Sequence, residues 1–115
     1  MARTFDAAEL LGRVDNDWEF LGETVQMLAS DGPALLGALR RSAEAGDAPA
    51  VGRQAHTLKG MVSNFASPAA QASAFEVEQI GKSGDLSAVG PALATLEARL
   101  NALIADLTDF LATRA

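Results

Sequence analysis

The 115-residue chain has no cysteine and no tyrosine, and only one tryptophan and one histidine. Without cysteine there are no disulfides, no thiolate catalysis and no cysteine-ligated zinc. That absence fits a cytoplasmic location, which is the expectation taken here. A single histidine with no thiolate is also a poor first shell for a metal, so no metal or other cofactor of its own is expected. Positive charge is in the minority: 9 Lys and Arg face 15 Asp and Glu, for a net charge of −6. Such a surface repels nucleic acid and anionic membranes, and no basic stripe interrupts it. No apolar run approaches the roughly 18 residues of a membrane span, and the N-terminus lacks the apolar core of a signal peptide. There is no glycine-rich phosphate loop and no nucleophile elbow, which argues against ATP binding and against a serine–histidine–aspartate hydrolase. β-branched residues are few and scattered, which argues against sheet.

What the chain does have is alanine and leucine, both good helix formers, within a composition that is 49% hydrophobic. Capping signals divide it. Asp6 and Glu9 form a D-x-x-E capping box, with Phe5 placed as a hydrophobic staple, so a short helix is predicted from Asp6 to before Asp15. Asn16 or Asp17 caps the next helix, in which Trp18, Leu21, Val25 and Leu28 recur at helical spacing. Gly32–Pro33 either kinks this helix or separates it from a continuation carrying Leu35, Leu36 and Leu39. A left-handed stop is expected at Gly46. Asp47 and Pro49 open a helix running to about Ala66, Ser67–Pro68 opens another that stops at Gly84, and Asp85 or Ser87 starts the last. Leu93, Leu96, Leu100, Leu103, Leu107 and Phe110 make its stripe. "GDAPAVG" at Gly46 and "GDLSAVG" at Gly84 echo one another, and are read as one turn solution used twice rather than as a duplication. The fold class expected is all-α: an antiparallel up-and-down four-helix bundle with a short extra N-terminal helix, residues 1–115 forming a single domain.

The helix holding the lone histidine is the informative one. At about 100° per residue, Val51, Ala55, Leu58, Val62 and Phe65 form one narrow apolar stripe that faces the core. His56 points roughly 150° from the centre of that stripe, toward solvent. Gly52, Arg53, Lys59, Gly60 and Ser63 share its half of the wheel. A lone exposed histidine is ordinarily just a surface residue. Here it is flanked by glycines one turn away on each side, and each mid-helix glycine costs about 1 kcal/mol relative to alanine. Both glycines are read as leaving room for something external over His56, with Arg53 and Lys59 supplying positive charge for an anion on or near the ring. On the following helix an inward stripe of Ala70, Ala74, Val77 and Ile80 turns Phe75 and Glu78 outward. Phe75 is then either a docking contact or, given how small the stripe residues are, simply core.

"AHTLKG" at Ala55–Gly60 resembles the H-x-L-K-G core of histidine-containing phosphotransfer domains, and the likeness extends from "FDAAELLGRV" at Phe5 to the final helix. The resemblance implies a four-helix bundle with a phospho-accepting histidine exposed on one helix. It makes His56 the acceptor, places Lys59 beside the phosphoryl group, and gives Gly60 the role of leaving room for the partner. Two positions depart from the family's pattern: Phe65–Ala66 stands where Leu-Gly is common, and Glu78 where a glutamine is often found. The implied function is a two-component phosphorelay carrier. It takes and gives a phosphoryl group through the aspartates of response-regulator receiver domains, with a (hybrid) histidine kinase upstream, and has no turnover of its own. Mg²⁺ and most catalytic groups would come from the receiver. Partner access and docking are assigned to Gly52, Arg53, Gly60, Ser63, Phe75 and Glu78. Two other readings stand beside this one: a non-phosphorylated helical adaptor keeping only the docking surface, and a histidine-kinase substrate module. A start at Met1 and a last helix ending near Arg114 favour a free-standing chain, expected to be a monomer.

Overall fold

The computed structural model describes residues 4–114. Every regular element among them is helical: α1 (Ala7–Arg13), α2 (Trp18–Glu44), α3 (Ala48–Val62), a single 3-10 turn (Ser63–Phe65), α4 (Pro68–Ser83) and α5 (Val89–Ala112). The four long helices pack in a closed ring, α2 against α3 and α5, α4 against α3 and α5, with α3 on α4 the most extensive contact.

The core is drawn from the predicted stripes. Val51, Ala55, Leu58 and Val62 of α3 are fully buried, as are Leu96, Leu100, Leu103 and Leu107 of α5. Burying each leucine stabilises the fold by about 1.5–3 kcal/mol. At one end Phe110 stacks edge-on against Phe5, with centroids 5.3 Å apart, and lies 5.0 Å from Trp18. Phe5 therefore joins the general core and is more than a local staple.

The helix ends show where local signals were sufficient. Asp6, Asp17 and Asp47 each accept a backbone N–H three residues on, from Glu9, Phe20 and Ala50. Asn16 is not a cap; it adopts a left-handed conformation in the α1–α2 turn. The capping box is only half formed, because Glu9 pairs with Arg13 at 2.6 Å. The Asp6 N–H instead donates to the carbonyl of Ala66, which ties α1 to the end of the histidine helix. Arg13 adds a second tie through the Ser63 carbonyl.

Several boundaries differ from expectation. Pro33 neither splits nor ends α2, which is one helix of 27 residues. A proline removes one backbone hydrogen bond, and Leu28, Leu36 and Leu39 buried on either side hold the helix through that gap. The histidine helix ends at Val62, tightens into a 3-10 turn and reverses at Ala66, a left-handed alanine at φ 54°. A glycine would fit there without strain. Asp85 does not cap α5; its carboxylate accepts the Ser87 N–H in a turn that precedes the helix, and α5 starts at Val89. The two echoed segments share a left-handed glycine, Gly46 and Gly84, and then diverge. Ser67 is buried, and its hydroxyl donates to the Thr4 carbonyl rather than capping α4.

Candidate functional site

His56 lies midway along α3, on the side facing the groove that α3 forms with α4. Its side chain is 68% exposed, whereas that of Glu78, opposite on α4, is 1% exposed. His56 Nδ1 is 3.0 Å from Glu78 Oε2. The same carboxylate is gripped by two lysines: Lys59 Nζ 2.7 Å from Oε1, and Lys82 Nζ 2.9 Å from Oε2. These contacts hold Glu78 well below the ordinary carboxylate range, at about 2. Lys59 contributes most and Lys82 next, outweighing the opposing effect of burial, and His56 adds a smaller share. An ionised carboxylate can only accept, so the proton between Glu78 and His56 resides on Nδ1. In the neutral form of the ring, Nε2 is then the nitrogen that carries the lone pair.

Lys59 is the more enclosed of the two lysines, and its ammonium also lies 5.0 Å from the centroid of the Phe75 ring. Pro49, Arg53, His56, Thr57, Glu78 and Lys82 line an open groove on one side of this cluster. Lys59, Pro68, Gln71, Ala72 and Phe75 line a shallower one on the other. Among the described residues, no three His, Asp or Glu side chains gather to hold a metal ion, and no helix is long and apolar enough to cross a membrane.

The model of the Hpt domain matches residues 23–106, well over half of the chain. The chain belongs to the Hpt domain family. It is also similar to the crystal structure of histidine-containing phosphotransfer protein B from Pseudomonas aeruginosa PAO1, with a TM-score of 0.89 over 98% of each chain at 19% sequence identity. That likeness is one of fold. No curated protein matches significantly. Hpt membership makes this a histidine phosphotransfer protein of the phosphorelay class, whose members work with receiver domains and histidine kinases.

Within this Hpt domain the residues singled out from the sequence have different fates. His56, Arg53 and Gly60 are exposed, and an added Cβ at Gly60 would meet nothing within 4 Å. Phe75 is 47% exposed, so it is not core. Ser63 is half-buried, and its hydroxyl donates to the Gly60 carbonyl. Two placements are corrected. Gly52 does not lie open to an external partner; it is buried against the α4 backbone, beside Gly81 and Lys82. The wheel put it away from the core stripe but could not show that α4 lies over that flank. Glu78 does turn toward His56, yet it is buried rather than displayed, because the α3–α4 contact closes over it. Lys82 and Gly81 were missed. Lys82 stands four residues after Glu78, a pairing legible in any helix. Gly81 lies inside α4, three residues before the stop at Gly84, where glycine is costly.

Proposed function

We propose that this Hpt protein carries a phosphoryl group on Nε2 of His56, exchanging it with the aspartates of receiver domains. The observation that carries the reading is the 3.0 Å contact between His56 Nδ1 and the buried, ionised Glu78. It supports the Nδ1–H tautomer of the neutral ring, with Nε2 as the nucleophile. The Nε2 lone pair attacks phosphorus in line, the bond from phosphorus to the receiver's aspartate oxygen breaks, and the aspartate leaves as carboxylate. The Nδ1 proton stays between ring and carboxylate, so the positive charge that forms on the phosphorylated ring meets the negative charge of Glu78. Return of the group to a receiver is the reverse.

Transfer of this kind depends on positioning and charge neutralisation. Lys59 and the exposed Lys82 stand ready to share their charge between Glu78 and the incoming phosphoryl oxygens. Mg²⁺ belongs to the receiver. The open side chain of Arg53, the bare backbone at Gly60 and the half-exposed Phe75 surround His56 as the docking face. Ser63, whose hydroxyl donates to the Gly60 carbonyl at the end of α3, borders that face. The reading includes a single domain built as an up-and-down four-helix bundle. Incubation with a phosphorylated receiver tests it. Label should appear on the wild-type protein in acid-labile, alkali-stable form and be absent from His56→Gln. Label retained by that variant would defeat the proposal.

A further inference from the structure

Gly52 lies four residues before His56 on α3, and Gly81 lies three residues after Glu78 on α4. The two glycines touch backbone to backbone, one helical turn from the histidine–carboxylate pair on both helices. The contact is unequal. A Cβ built on Gly81 would overlap the Gly52 backbone nitrogen, stand 2.7 Å from the Gly52 Cα and come within 3.0 Å of the Ala48 carbonyl oxygen. All three are backbone atoms, so no rotamer change relieves the overlap. A Cβ built on Gly52 would stand 3.6 Å from the nearest α4 atom, the Lys82 nitrogen, which is ordinary contact.

We infer that Gly81 is a positioning residue for phosphoryl transfer: its missing side chain sets α4 against α3 at the separation that lets the Glu78 carboxylate reach His56 Nδ1. Restoring normal carbon–carbon separation at that point requires α4 to move out by about 0.8 Å. The 3.0 Å contact between Glu78 and His56 has no such slack, because a polar pair at about 3.6 Å or more is no longer hydrogen-bonded. The Glu78–Lys82 pair lies wholly on α4 and moves with it. Glu78 therefore keeps Lys82 as a partner when α4 shifts, while its contacts to α3, with His56 Nδ1 and with Lys59, both lengthen. This inference rests on the relay reading for its consequence, though not for its geometry.

The test compares Gly81→Ala with wild type in the unphosphorylated protein. His56 tautomers are read from long-range proton–nitrogen NMR correlations near neutral pH, and the rate of phosphoryl uptake from a phosphorylated receiver is measured beside them. Gly81→Ala should remain folded, lose its preference for the Nδ1–H tautomer and take up phosphate at least about tenfold more slowly, as happens when an imidazole loses its orienting partner. Gly52→Ala should keep the wild-type tautomer. Glu78→Asp, which retracts the carboxylate without touching the glycine contact, should reproduce the tautomer change. A folded Gly81→Ala with wild-type tautomer and wild-type rate overturns the inference while leaving the relay reading intact. An unfolded Gly81→Ala overturns it too, since the glycine would then be a requirement of the fold and not a setter of the site. A wild-type protein that accepts no phosphoryl group on His56 overturns the relay reading, and with it the functional half of this one.

Discussion

Gly60 offers the clearest separation of stability from function. It sits four residues after His56 on α3, and an added Cβ there would meet nothing within 4 Å. Gly60→Ala therefore gains helix propensity without a steric penalty, about 0.8–1 kcal/mol. For a domain of this size that corresponds to a rise in Tm of about 4 °C. Gly60→Gln gains a similar amount, since glutamine is a good helix former, but it stands a flexible side chain one turn from the imidazole. Thermal melts followed by circular dichroism and transfer rates from a phosphorylated receiver should then move in opposite directions. Gly60→Ala melts higher and transfers somewhat more slowly, while Gly60→Gln melts at or above the wild-type temperature and transfers poorly. Two results would refute the reasoning. A drop in melting temperature for Gly60→Ala would mean that the helix surface there is not open. Normal transfer by a well-folded Gly60→Gln would mean that the bare backbone beside His56 has no part in docking.

Glu78 has a pH signature: because its carboxyl is lowered from 4.5 to about 2, its contribution to stability is complete above about pH 4.5 and is lost as the pH falls from there toward 2. Acid titration of stability in Glu78→Gln should be flatter than wild type over that window, and equal slopes would mean that Glu78 is not the group responsible. Lys59→Ala should keep the fold, slow transfer, and raise the Glu78 carboxyl by more than Lys82→Ala does, because Lys59 is the larger cause of its lowering; carboxylate titration by NMR reads the order directly. Phe75→Ala should weaken receiver binding while costing well below the roughly 3–5 kcal/mol of a core phenylalanine, since the ring is half exposed; a large loss of stability with unchanged binding would make it a packing residue instead.

The helices and the exposure of His56 were legible in the sequence because both are local. Aspartate caps bind N–H groups three residues away, left-handed turns select Gly46 and Gly84, and a stripe such as Val51, Ala55, Leu58 and Val62 faces the core wherever the other helices lie. The motif around His56 likewise named the family before any neighbour was placed. What a helical wheel cannot contain is the helix lying across its flank. Gly52 and Glu78 both fall off the apolar stripes of their own helices, and both are buried, because α3 and α4 approach each other along those flanks until their backbones meet at Gly81. That approach turns a surface glutamate into a buried carboxylate shared by His56, Lys59 and Lys82. It also reassigns one of the two glycines beside the histidine from partner access to helix contact. The candidate acceptor histidine was thus written in one helix, whereas its orientation exists only between two.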